Sequence, residues 1–414
     1  MSHFVYRGGE LTAEELPLSS IAARFGTPCY VYSRAELESA FRRFDAAFAG
    51  TPHLVCYAAK ANSNIAVLNL FARLGSGFDV VSGGELSRVI AARGDPSKIV
   101  FSGVGKTDVE ITRALDLEIL CFNVESASEL KQLDALAGRL GKQARISFRV
   151  NPDVDARTHP YISTGLKENK FGVAFDEAHA LYRHAAGLAH VEVKGIDIHI
   201  GSQITALEPH IEAASKAFAM VDRLASEGIR LEHVDVGGGL GIRYRDEQII
   251  DPVDYARAIV RLRGDRRVKL LLEPGRFLVG NAGILLTRVS CLKPGAARNF
   301  AIVDAAMNDL LRPALYDAWH DVLPVRKRGD SPMRWQIVGP VCESADFIAH
   351  DRNLALVEGD LIAVASAGAY AMAMSSNYNS RPRAAEVIVD GKTAHLVRPR
   401  ELVEELYQSE SLLP

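Results

Sequence analysis

The sequence predicts a two-part α/β protein: a (β/α)8 TIM-type barrel followed by a mostly antiparallel β domain. Three observations carry that prediction. Short apolar runs alternate with amphipathic stretches between residues 54 and 272, the text turns β-rich after residue 278, and polar or glycine residues stand at the end of each early apolar run. Hydrophobic residues make up 48% and charged residues 24% of the 414, the balance of a folded chain with a large core.

The apolar runs at 54–60, 78–81, 98–101, 119–122, 145–150, 193–200, 232–236 and 268–272 read as strands. Helix-like periodicity fills 63–74, 83–93, 106–115, 125–138, 208–227 and 252–264. Such a rhythm over roughly 220 residues matches the ~250-residue scale of a closed barrel, whose functional groups gather at the C-terminal strand ends. A doubly wound open sheet is the alternative that the same alternation allows. Beyond residue 278 the runs Gly283–Val289, Phe300–Asp304, Trp335–Val338, Asp360–Val364 and Glu386–Val389 suggest antiparallel strands, and Cys29–Tyr32 is expected to join them. The expected domains are 33–278 for the barrel, and 1–32 with 279–414 for the β-rich part.

The formal net charge is −3 and no long basic run occurs, so neither nucleic acid nor an anionic membrane is an expected partner. The first residues lack a charged segment followed by an apolar core, and no stretch of about 18 apolar residues follows. A soluble, cytoplasmic protein is the expectation. The five cysteines (29, 56, 121, 291, 342) are scattered and form no CxxC pair, which argues against a disulfide framework and against zinc.

The strand ends carry the chemistry. Lys60 ends the first run, Asp79-Val-Val-Ser82 the second, Ser102-Gly103 the third, Asn123 the fourth and Asn151 the fifth. His199-Ile-Gly-Ser202-Gln203 follows the sixth, Gly237-Gly238-Gly239 the seventh and Glu273-Pro-Gly275-Arg276 the eighth. Burial or a nearby cation lowers a lysine's pKa and frees the amine that forms a Schiff base with a carbonyl or with pyridoxal phosphate. Read on its own segment, Lys60 serves equally as a strand-end lysine reaching solvent.

Gly237-Gly238-Gly239, with Gly201-Ser202 and Gly275 on neighbouring strand ends, would let backbone N–H groups approach one phosphate, as pyridoxal phosphate carries. A tight turn would use the same glycines. No GxGxxG opens a nucleotide-binding unit and no P-loop occurs. Glu273 reads plainly as a partner of Arg276; beside a pyridine ring it would keep the ring nitrogen protonated and strengthen the electron sink. An arginine there would suit a racemase, whereas a glutamate suits decarboxylation. His199 reads as a core histidine or, beside a cofactor, as a flat ring stacked on it.

Together the motifs are specific. They are Tyr57-Ala-Ala-Lys60-Ala-Asn62, Asp79-Val-Val-Ser-Gly-Gly-Glu85, Phe101-Ser-Gly-Val-Gly-Lys106, Asn151-Pro-Asp-Val-Asp-Ala156 and His159-Pro-Tyr-Ile-Ser-Thr-Gly165 in the first part of the chain. His199–Gln203, Glu273–Arg276, Met307–Tyr316, Gly339-Pro-Val-Cys-Glu-Ser344 and Met374–Arg383 complete the set. Through them nearly the whole chain resembles the diaminopimelate decarboxylases, members of the alanine-racemase-like, fold type III pyridoxal phosphate enzymes.

The resemblance implies that Lys60 forms the Schiff base with the cofactor, that Gly239 and residues 273–276 hold it, and that Tyr370 touches cofactor and substrate. It implies substrate binding by Arg276, Arg312, Tyr316 and Glu343, proton donation by Cys342, and a homodimer in which Cys342 and Glu343 cross the interface. The substrate implied is meso-diaminopimelate, decarboxylated at its D centre to L-lysine. Ala306 and Ala371 depart from the glycine common in relatives. Glu85, Asn123, Asn151 and Lys170 are expected near the site without assigned roles.

Read from the residues, Arg312 and Tyr316 stand i, i+4 on a short helix expected to open at Asn308-Asp309, a pair that suits a distal carboxylate or simply a solvated face. Glu343 complements a distal ammonium. Cys342 alone reads as a small buried hydrophobe. The competing readings are a decarboxylase of ornithine, arginine, lysine or carboxynorspermidine, and a non-catalytic regulatory binding protein of the same fold.

Overall fold

The structure, a computed structural model, describes residues 3–156, 158, 159, 162, 164, 165 and 170–414. Pro160, Tyr161 and Ser163 of the His159–Gly165 motif lie outside these residues. The chain divides into two compact units: Phe41–Ile242 with Gln248–Phe277, and Met1–Ala40 with Arg243–Glu247 and Leu278–Pro414.

The first unit is a barrel. Its eight strands are His53–Ala58, Gly77–Val80, Ile99–Phe101, Cys121–Val124, Ala144–Asn151, Val191–Asp197, His233–Asp235 and Lys269–Leu272. Each pairs in parallel with the next, and the eighth closes on the first through Leu270 opposite His53. That closure rules out the open sheet. Cys56, Val100, Cys121 and Leu271 pack as one apolar cluster, which is why the strands read as nearly continuous apolar runs.

The strands stop earlier than the apolar text suggests, because ladder pairing ends at Ala58 opposite Asp79 and at Asp197 opposite Asp235. Lys60 therefore sits in the one-turn 3-10 helix Ala59–Ala61, and His199 in a loop. Helices Ile65–Arg73, Gly83–Ala91, Asp108–Asp116, Ala127–Leu140, Glu208–Ser226 and Pro252–Arg263 occupy the expected periodic stretches. Ser82, Thr107, Ser126 and Asp251 cap four of them by accepting backbone N–H groups. The helix Phe175–Ala185 was not expected. Its buried residues, Ala178, Tyr182 and Ala185, offer little apolar bulk, and no side chain caps its start.

In the second unit, strands Phe347–Leu354, Met333–Val338, Asn299–Val303, Gly283–Lys293, Cys29–Ser33, Ala385–Asp390 and Thr393–Arg398 follow one another across a sheet. Leu361–Val364 branches from Gly283–Lys293 and pairs with Val322–Pro324. Cys29–Ser33 joins as expected, antiparallel to Gly283–Lys293 and parallel to Ala385–Asp390. Cys29, Val31, Ile284, Leu286, Ala363 and Val387 supply the core beneath it. Among the described residues no helix is long and apolar enough to cross a membrane.

Candidate active site

Lys60 and Asp79 come from adjacent strand ends of the barrel, and Lys60 Nζ donates to Asp79 Oδ2 at 2.6 Å. Asp79 is fully buried, whereas the Lys60 side chain keeps 32% of its exposure. In place of a cation or full burial around this lysine, the neighbour is a carboxylate, and the amine remains reachable. Glu85 accepts the Val81 N–H at 2.9 Å, while burial pushes its carboxyl up to about 6.

Glu273, ending the eighth strand, meets two further acids. One oxygen each from Asp197, Asp235 and Glu273 lies within 4.8 Å of the others. Asp197 Oδ1, Asp235 Oδ2 and Glu273 Oε1 are buried without a hydrogen-bond partner. Burial first, and then repulsion from neighbouring carboxylates, raises all three, Asp235 to about 7 and the others well above the carboxylate range. The three carboxyls therefore titrate as a group rather than independently. Sequence reasoning missed Asp197 and Asp235. The available signal was a lone acid inside an apolar strand, Ile196-Asp197-Ile198 and Val234-Asp235-Val236.

The glycines are fixed by close approach. A Cβ at Gly237 would lie 2.3 Å from the Ile198 carbonyl oxygen, at Gly238 2.1 Å from that of Glu273, and at Gly239 2.5 Å from that of Gly201. Two of their N–H groups are engaged: Gly237 donates to Asp235 Oδ1 at 2.9 Å and Gly238 to His199 Nδ1 at 3.2 Å. That narrows the anion-facing part of the loop to Gly239, next to Gly201-Ser202. Arg276 Nη2 donates to Ser202 Oγ at 3.0 Å.

Because His199 Nδ1 accepts the Gly238 N–H, its lone pair is there and the ring is neutral. Burial, with Arg149 and Lys60 adding to it, holds the imidazole well below its usual pKa. The orphaned Glu273 Oε1, the glycine cradle and the neutral His199 fit a pyridine ring carrying one phosphate.

In the β-rich unit, Arg312–Tyr316 forms a five-residue helix entered from Leu311, not from Asn308-Asp309 as expected. The Asp309 carboxylate turns back to accept the Ala306 N–H at 3.0 Å, so it closes the preceding turn rather than capping the helix. Arg312 is buried and Tyr316 half-buried. Cys342 is exposed, not the buried hydrophobe that the residue type alone suggested, and Glu343 beside it is exposed too. The Cys342 N–H donates to Asn379 Oδ1 at 2.8 Å. Tyr370 takes φ 53°, a left-handed conformation uncommon for an aromatic residue and concentrated at functional positions. Ala371 has φ −112°, so alanine is accommodated there.

Of the four residues expected nearby without roles, Asn123 is buried and donates to Ser102 Oγ at 3.0 Å, and Asn151 accepts the Asp153 N–H. Lys170 is exposed, 5.2 Å from the Phe171 ring centre.

Residues 34–280 match the pyridoxal-binding domain of pyridoxal-dependent decarboxylases. Over the full length of both chains, the sequence is 61% identical to the diaminopimelate decarboxylase of Pseudomonas aeruginosa and 57% identical to that of Vibrio cholerae. The crystal structure of Helicobacter pylori diaminopimelate decarboxylase complexed with L-lysine superposes with a TM-score of 0.92 at 44% identity, covering 95% of this chain and 99% of that one. The chain belongs to the pyridoxal phosphate-dependent diaminopimelate decarboxylases.

Proposed function

We propose that the protein decarboxylates meso-diaminopimelate at its D centre to give L-lysine and CO2, in the last step of lysine formation. The observation that carries this reading is the barrel rim, where a reachable lysine, a glycine cradle and an orphaned buried carboxyl stand on neighbouring strand ends. When bound, pyridoxal phosphate supplies the sink for the electron pair left as CO2 departs. Lys60 would hold the cofactor through its side-chain amine. Asp79 holds and orients that amine.

Glu273, whose Oε1 is buried without a partner, would hold a proton at the ring nitrogen. His199 would offer its flat, neutral ring to the cofactor. Ser202, Gly239, Gly275 and Arg276 would hold the phosphate. Arg312 and Tyr316 bind the distal carboxylate, Glu343 the distal ammonium, and Arg276 and Tyr370 orient the reacting end, so the substrate is held with the scissile bond aligned. Cys342 delivers the proton that replaces CO2 on the carbon.

The exposure of Cys342 and Glu343 supports a homodimer in which a second copy covers them. All five cysteines are free thiols, which suits the cytoplasm. Mixing Lys60→Ala with Cys342→Ala protein should then restore activity through hybrid dimers; demonstrated subunit exchange without recovery would count against shared sites.

The test of substrate is CO2 release from meso-diaminopimelate against L-lysine, ornithine and arginine. A site built around a distal carboxylate and ammonium should favour meso-diaminopimelate in kcat/KM by about 10³-fold or more. Equal or better turnover of ornithine or arginine would sink the proposal.

A further inference from the structure

Arg312 is held on two sides within the β-rich unit. Its Nη1 donates to His320 Nε2 at 2.8 Å, and its guanidinium lies 4.5 Å from the Tyr244 ring centre. The tautomer of His320 follows from its partners. Its Nδ1 lies 2.7 Å from the Ala365 carbonyl oxygen, which can only accept, so Nδ1 carries the hydrogen. An arginine nitrogen can only donate, so Nε2 carries the lone pair. His320 is thus neutral and fully buried.

The surroundings of His320 leave it little freedom. Its carbonyl accepts from Arg352 Nη2 at 2.6 Å, and Ala365 N–H donates to the Asp321 carbonyl at 2.8 Å. The Arg352 guanidinium also sits 3.4 Å from the Trp319 ring centre. Tyr244 meets the His320 ring edge-on, with centroids 5.2 Å apart at 78°. The ring that accepts from Arg312 is therefore braced by backbone on one side and by an aromatic ring on another.

A guanidinium is a planar fork whose value in binding a carboxylate depends on its plane. We propose that His320 is a positioning residue, holding Arg312 in the plane in which it receives the distal carboxylate of the substrate. This rests on the reading of Arg312 given above, and it assigns to a buried neutral histidine the task of setting substrate affinity rather than chemistry.

The experiment measures kcat and KM for meso-diaminopimelate, together with inhibition by L-lysine, which keeps the distal carboxylate, and by cadaverine, which lacks it. For His320→Phe, loss of one charge-assisted hydrogen bond should raise KM and the L-lysine inhibition constant about tenfold. The same variant should leave kcat within about twofold and cadaverine inhibition unmoved, since neither depends on the fork. His320→Gln, whose amide oxygen can accept from Arg312, should recover to within about threefold of the parent.

Unchanged KM and L-lysine inhibition in His320→Phe, or an equal shift for cadaverine, would overturn the proposal, the latter by showing a general structural role. Arg312→Lys separates the two readings. If it leaves L-lysine inhibition intact, the role of Arg312 itself fails; if it weakens L-lysine while His320→Phe does not, only the positioning role fails. Should His320→Phe not fold, His320→Gln and Tyr244→Leu decide, with L-lysine weakened about threefold by the latter and cadaverine unaffected as the supporting result.

Discussion

At the barrel rim three buried carboxyl groups, Asp197, Asp235 and Glu273, gather beside one another and the buried Asp79 accepts from Lys60, whereas in the β-rich unit the buried Arg312 is flanked by a neutral imidazole and a tyrosine ring. The first arrangement manages protons. Asp197, Asp235 and Glu273, packed too closely to ionise independently, share them, which suits a region where a proton must be held at a ring nitrogen. The second manages direction. An arginine stays charged in any surroundings, so what its neighbours contribute is a fixed plane. On the proposed reading, reaction chemistry and substrate choice rest on different kinds of physical control in the two units.

Removing Lys60 should break the first region most severely. Lys60→Ala protein should lose the yellow, cofactor-linked absorbance, and lysine formation should fall by about 10⁴-fold or more, as when a nucleophile is removed. Retained absorbance and normal lysine output would refute the role of Lys60.

Gly238→Ala probes the cradle. Its new Cβ would stand 2.1 Å from the Glu273 carbonyl, so two strand ends must move apart. Thermal or denaturant unfolding should show a loss of about 3 kcal/mol.

Asp235→Asn gives a smaller, pH-dependent effect in the cofactor-free protein. The folded pKa of Asp235, about 7, lies above that of an unfolded aspartate, so its contribution to stability is whole at low pH and is lost as pH rises through about 7. Asparagine escapes that loss and can still accept the Gly237 N–H. Tm scans should show the variant gaining on the parent between pH 5 and pH 8, by about 2–4 °C. A gap independent of pH would mean that Asp235 carries no shared proton.

The two regions also differed in what the sequence disclosed. Lys60, Gly239 and Glu273 could be found by position, because a barrel converts each strand end into a place on one rim. Asp197 and Asp235 stayed hidden because an inward acid inside an apolar strand looks like one more strand residue. In the β-rich unit, position says little. Arg312, Tyr316 and Glu343 became visible through motif resemblance, and even then the helix start was misplaced because Asp309 turns inward to Ala306. Tyr244 and His320 carry no periodic or motif signal; only folding brings them to Arg312.

The division of labour is tested most directly by steady-state kinetics of Glu273→Gln and Arg312→Lys on meso-diaminopimelate, measured side by side. Glu273→Gln should lower kcat by about 10²–10³ with KM within about threefold of the parent, as expected when electrostatic support for the developing charge is removed. Arg312→Lys should mainly raise KM, by about tenfold or more. The opposite pattern, a KM effect at Glu273 and a kcat effect at Arg312, would contradict the account.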